Sequence, residues 1–188
     1  MRFTMRKHKS AVAAFLLSSA MMLGPAQAQD AAATDLLDQL AQAEDARAAD
    51  RLERQVRQEW SKSGSATIDL LLKRGQDALD VDNVDAALEH LTALTDHAPD
   101  FAEGWHTLAL AYYRADQFGP AADALERTLA LNPEHFGALR GLGAIFEQVD
   151  KPHLAYDAYS RVLNLRPHDS DVIDALERLE LRVNGQTL

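Results

Sequence analysis

Pro99, Pro133 and Pro167 stand 34 residues apart, and many of the residues between them recur at the same spacing. A period of this length constrains the fold more than any single residue does, because it asks for one supersecondary unit used three times. In rows beginning at Ile68, Ala102 and Phe136, the chain aligns Leu71 with Trp105 and Leu139, and Arg74 with Leu108 and Leu142. It also aligns Ala78 with Tyr112 and Phe146, and Leu91 with Leu125 and Tyr159. One column holds only small residues, Gly75, Ala109 and Gly143, and another holds Ala87, Ala121 and Ala155. Asp82, Asp116 and Asp150 share a third.

Each row reads as a pair of helices. In the second, Trp105, Leu108 and Tyr112 and then Ala121, Leu125 and Leu129 fall at helical spacing. The interruptions are Asp116-Gln117-Phe118 and Asp150-Lys151-Pro152. Asp tolerates the left-handed backbone of a tight turn, and Pro suits a helix start. The recurring proline cannot continue a helix and so ends the second helix of each row. Small residues in two columns let the paired helices approach closely, and the large columns fill the remaining space. No single pair can bury its apolar face alone, so neighbours must stack into a continuous core.

These columns resemble the tetratricopeptide repeat (TPR) family over residues 68–169, most fully in the middle row, with Trp105, Leu108, Ala109, Tyr112, Ala121 and Pro133. The resemblance implies an all-α fold, an α-α superhelix (TPR solenoid) of three repeats over 68–101, 102–135 and 136–169. Residues 170–188 supply a C-terminal capping helix and tail, with Val172, Ile173, Leu176 and Leu179 apolar and Asp174, Glu177, Arg178 and Arg182 outward.

Before the repeats come two different segments. Arg2, Arg6, Lys7 and Lys9 precede an apolar run from Ala11 to Leu23 and an Ala26-Gln27-Ala28 site, which together describe a secretory signal peptide over 1–28, cut after about Ala28. The run is shorter than a membrane-spanning helix, so no stable membrane anchor is expected after cleavage. The absence of a twin-arginine pair favours the general secretion route and a periplasmic destination. Residues 29–67 read as an N-terminal helical hairpin and linker. Asp30–Ala33 is expected to be a disordered start, Thr34-Asp35 to cap a first helix with Leu36, Leu37 and Leu40, and Glu44-Asp45 to mark a break. Leu52, Val56 and Trp60 then fall four apart on one helical face, and 61–65 is the linker. The hairpin is expected to cap the first repeat, with Trp60 and Leu52 against Leu70 or Leu71. A single long helix over 35–60 that self-associates is the alternative, although residues 41–51 sustain no heptad.

Composition narrows the function classes. With no cysteine there is no disulfide, thiolate metal site or Cys nucleophile. Four of the 19 Lys+Arg and none of the 29 Asp+Glu precede residue 29, so the remainder carries a net charge of −14. Such acidity argues against nucleic acid and anionic lipid as partners. The seven histidines show no metal-ligand spacing, and His135 and His168, just after repeating prolines, are expected to face solvent. Neither a phosphate-binding glycine loop nor a nucleophile elbow is present, so no enzyme, cofactor or metal is expected.

The family resemblance implies binding on a concave face lined by the first helix of each repeat. The candidate groove residues are Leu72, Gln76, His106, Leu110, Tyr113, Arg114 and Arg140, with Gly137, Gly141 and Ala144 leaving room for a bulky guest. The family's carboxylate-clamp pattern is missing, since Leu72, Gln76, Thr107, Gly137 and Gly141 occupy its positions. The chain is similar to small exported TPR proteins of Gram-negative envelopes. The expected function is a non-enzymatic periplasmic adaptor or scaffold that binds a peptide segment of another envelope protein in envelope assembly or maintenance. The alternatives are a self-assembling structural envelope protein and a small-molecule or glycan receptor.

Overall fold

The computed structural model describes residues 25–185, which among them form helices and no strand. Helices α1 (Pro25–Ala41) and α2 (Ala46–Trp60) make a hairpin. Three helix pairs follow: α3 (Ala66–Asp80) with α4 (Val84–His97), α5 (Ala102–Arg114) with α6 (Phe118–Leu131), and α7 (Phe136–Gln148) with α8 (Pro152–Leu165). Helix α9 (Ser170–Asn184) packs on α8. Helices α3, α5 and α7 also lie against one another and form the inner layer of a TPR solenoid. Residues 1–24, which carry the basic and apolar parts of the expected signal peptide, lie outside the described residues. Among the described residues no helix is long and apolar enough to cross a membrane.

The repeating aspartates end the first helix of every pair. Asp82, Asp116 and Asp150 each take φ 57°, in the left-handed region. The amide of Asp116 donates to the Tyr113 carbonyl at 3.1 Å, and that of Gln117 to the Tyr112 carbonyl at 2.9 Å. The same two bonds recur at Asp82-Asn83 and Asp150-Lys151, satisfying carbonyls that a helix end would otherwise strand.

Within each pair the small column meets the large one. A Cβ placed on Gly75 would stand 2.5 Å from Leu91, and one on Gly143 would stand 2.5 Å from Tyr159. Ala87, Ala121 and Ala155 are fully buried. Trp105 is only half-buried, yet it packs against the clusters of both the first and second repeats, and its Nε1 donates to the Pro99 carbonyl at 2.9 Å.

The N-terminal segment departs from expectation in two ways. Residues 30–33 are helical and Thr34-Asp35 lie inside α1, which runs from Pro25 to Ala41 through alanines of high helix propensity. The break at residues 42–45 takes in Glu44-Asp45 as expected, and the Asp45 carboxylate caps α2 by accepting from the Ala48 amide at 2.7 Å. Most consequentially, the hairpin does not cap the first repeat. Leu37, Leu40 and Val56 share one buried cluster with Phe136, Leu139, Val162, Val172 and Leu179 of α7–α9, and Leu52 and Trp60 pack against that cluster, while Leu70 stays largely exposed. Phe136 and α9 present more apolar surface than the third pair can cover, and the hairpin covers it.

Two substitutions test this packing. Trp105→Ala is expected to cost about 3 kcal/mol, the low end for a large aromatic because the ring is half-buried, and Ala121→Leu about 1–3 kcal/mol. Equilibrium urea unfolding measures both. At the turn, Asp116→Val is expected to cost about 1–2 kcal/mol because a β-branched residue resists the left-handed backbone, whereas Asp116→Gly stays close to wild type.

Candidate functional site

The inner layer carries the expected groove, but the structure divides it. Leu72 is 2% exposed and belongs to the buried cluster of the first pair, so it is core and not groove. His106 is 5% exposed and sealed as well. The expected space over the third repeat is also taken. A Cβ on Gly137 would meet the His106 Nε2 at 2.9 Å, and one on Gly141 would meet Leu125 at 2.9 Å, so the protein's own side chains fill both gaps.

The sealed half is built around Glu103, His106 and His135, all buried. His135 starts α7, where its Nδ1 accepts from the Ala138 amide at 3.1 Å. Nδ1 therefore carries no proton, and Nε2–H donates to the Glu103 carboxylate at 3.0 Å. The other carboxylate oxygen lies 3.4 Å from the His106 Nδ1. Burial alone would raise the Glu103 carboxyl, but attraction and hydrogen bonding from His106 and His135 outweigh it and hold the group well below the usual carboxylate range. Burial pushes His135 down, more strongly than its bond to Glu103 pushes it up. The His135 ring lies 4.4 Å from that of His106, tilted by 44°, and stacks on Trp60 of α2 at 4.4 Å and 21°.

These three side chains bring metal-ligating atoms within 4.8 Å of one another. Their bonding roles are nonetheless taken. A metal on the His135 Nε2 would move that ring's proton to Nδ1, against the Ala138 N–H, whereas a ligating histidine normally donates through its second nitrogen. The trio is a hydrogen-bonded clamp that fixes the start of α7 to α5.

His135 was therefore misplaced by sequence reasoning, as was His168, which is half-buried with its Nε2 2.8 Å from the Ala43 carbonyl. Both follow prolines in turns, and what buries them arrives from the hairpin. No local pattern announces it.

The open half lies further along the inner helices. Leu110 and Tyr113 remain 42% and 39% exposed on successive turns of α5. The Tyr113 ring meets Phe118 edge-on at 5.4 Å, which fixes its orientation. Arg114 donates to the Leu79 carbonyl and ties α5 to α3. Gln76 is half-buried on α3, and half-exposed Arg140 on α7 approaches Asp169 at 3.9 Å. Of the seven expected groove residues, Gln76, Leu110, Tyr113, Arg114 and Arg140 are each at least partly exposed, while Leu72 and His106 are buried.

Fold and site define a stacked helix-pair repeat protein whose inner face is partly sealed and partly open. Residues 102–135 match the tetratricopeptide repeat family model. A TPR repeat-containing protein of Rhizobium etli is 31% identical over 131 residues, 70% of this chain, and the match spans 64% of that relative's length. Among solved structures, the first TPR of Spaghetti (RPAP3) bound to an HSP90 peptide superposes with a TM-score of 0.60 at 24% identity, over 62% of this chain and 93% of that one. The Yersinia enterocolitica type III secretion chaperone SycD, in complex with a YopD peptide, gives 0.59 at 13% identity, over 63% and 95%. The family match over residues 102–135, the relative and the solved structures together support a tetratricopeptide repeat protein.

The clamp makes a pH prediction. The pKa values of both His135 and Glu103 are depressed by folding, so their contribution is present at neutral pH and is lost as pH falls, first below the ordinary histidine value and then below that of a free carboxylate. Below the ordinary histidine value, His135 steepens the acid loss of stability, because the unfolded chain takes up a proton there that the folded one does not. Melting temperature measured against pH for His135→Asn, which keeps a helix-capping side chain but removes the titrating ring, is expected to give a shallower acid limb.

Proposed function

We propose that this chain is a non-enzymatic adaptor that binds a peptide segment of another protein along the open half of its inner face. The observation that carries the reading is the pair Leu110 and Tyr113, exposed on adjacent turns, with the Tyr113 ring held edge-on by Phe118. They offer apolar contact. Gln76 provides an amide for peptide backbone, and Arg140, only loosely held by Asp169, a cation for an acidic side chain. The preferred segment is therefore short and extended, with an apolar residue beside an acidic one. Peptides bound by the TPR domains of RPAP3 and SycD support the peptide reading. A terminal-carboxylate clamp is disfavoured, because Leu72, Thr107 and Gly137 are buried where such a grip would need exposed polar groups.

On this reading the protein is exported through residues 1–28, acts in the periplasm, and serves cell-envelope assembly or maintenance. The basic, apolar and A-x-A succession of the first 28 residues supports export. Fractionation with mass measurement of the purified protein tests it, with Gln29 expected as the first residue of the mature chain.

Crosslinking and pull-down from cells tests the groove. A Leu110→Ser, Tyr113→Ala double variant, which alters two exposed side chains and leaves the core intact, is expected to lose at least about tenfold in partner capture, since two buried anchors together carry about 1.4 kcal/mol or more. Undiminished capture of the same partner would remove the groove from consideration.

A further inference from the structure

The hairpin and the repeats meet on one imidazole. His135 stands at the start of α7, and Trp60, the last residue of α2, stacks on its ring. Both ring nitrogens are already committed to the solenoid. Nε2–H donates to the Glu103 carboxylate at 3.0 Å, and Nδ1 accepts from the Ala138 amide at 3.1 Å. A second proton therefore has one place to go, Nδ1, where it would face the Ala138 N–H. Protonation replaces the bond that caps α7 with two donors pointing at each other. It also sets a positive charge at the positive end of that helix.

The surroundings do little for that charge. From α5, the Glu103 carboxylate bonded to the ring is shared with His106 at 3.4 Å. From α2, Arg57 lies over the adjoining Phe136 ring at 5.2 Å, and Arg166 at the end of α8 lies over the same ring at 5.1 Å. Glu53 pairs with both arginines, and Asp169 accepts from Arg166 at 2.6 Å. Glu59 and Lys62, either side of Trp60, pair with each other at 2.6 Å, and Glu134 is exposed. Burial, joined by the charges of His106 and Arg57, keeps the ring neutral against the pull of Glu103. An imidazolium there needs water, and the residue is 1% exposed.

Trp60 covers the ring from the hairpin side, and it has room to leave. A cleft of about 1,040 Å³ opens between Leu37 and Trp60 on the hairpin and Ile68, Phe101 and Asn132 on the solenoid side. Helices α3 and α4 contribute no residue to the clamp. We propose that His135 is a pH-sensitive latch on the hairpin: a second proton on its ring displaces Trp60 and opens α1–α2 from α7, while α3 and α4 stay folded. The opened form presents the Phe136 ring, 1% exposed in the closed one, as new apolar surface. This is more than a general loss of stability in acid, because one segment leaves and the first repeat remains.

Amide hydrogen exchange of the mature chain, read by mass spectrometry and corrected for the chemical rate, tests the latch. Measurements at about pH 7 and about pH 5 bracket the ordinary histidine value and stay above that of a free carboxylate. Protection of α1 and α2 is expected to fall about tenfold or more at the lower pH, relative to α3 and α4. His135→Asn, which keeps a capping side chain and takes up no proton, is expected to abolish the difference between the two pH values. Arg57→Gln removes a cation beside the ring and is expected to move the midpoint of opening to higher pH. It decides the question should His135→Asn fail to give a cooperative melt. Hairpin protection that does not change with pH overturns the proposal, as does loss of protection in all helices together. A fall that persists in His135→Asn, or a midpoint that Arg57→Gln does not raise, also overturns it by placing the titration at another group.

Discussion

The solenoid depends on helices approaching so closely that a side chain on one fits only where the other has almost none. Gly75 faces Leu91 and Gly143 faces Tyr159, each with a gap that a single added carbon would close. Ala109 and Leu125 share a cluster in the middle pair. Close packing of this kind is intolerant of volume changes, which is why the same columns stay small or large across the repeats. The inter-helix turns follow from it. Two helices at such short range need an abrupt reversal, and the left-handed aspartates provide it.

Periodicity made the three helix pairs legible, and the breaks at Asp82, Asp116 and Asp150 could be read from the tolerance of Asp for left-handed backbone. The terminal helix was legible from the spacing of Val172, Leu176 and Leu179. The seat of the hairpin was not. Leu52, Val56 and Trp60 announce an apolar face, but a sequence pattern gives the face and not its destination. The same limit explains His135: its position after Pro133 suggests a solvent-facing turn, and only the arrival of Trp60 from a distant helix buries it. For the groove, column position alone gave seven residues. It could not tell Leu110 from Leu72, although one is exposed and the other belongs to the core of the first pair.

The inner face is therefore heterogeneous by construction. Toward the start of α5 and α7 it is buried, with the Glu103 carboxylate set against two imidazoles and Trp60 stacked on one of them. Toward the end of α5 it is open, with Leu110 and Tyr113 exposed. A buried polar clamp of this kind adds little to gross stability, yet each member is costly to orphan, so it favours one arrangement of α5, α7 and the hairpin over near alternatives. Rigid placement of α5 in turn fixes Leu110 and Tyr113, four and seven residues beyond His106 on the same helix.

Anchoring α1–α2 on α7–α9 also changes how the chain reaches its native state. A plain solenoid folds through contacts between sequence neighbours, and its growth can begin at any unit and spread. Here the earliest helices close onto the latest ones, with Ala43 meeting His168 across most of the chain. Loop closure over that distance must wait until the final helix exists, so the portion synthesised first is the last to find its place. The closure turns a quasi-linear stack into a ring of dependencies, in which loosening α9 at one end also frees α1 at the other.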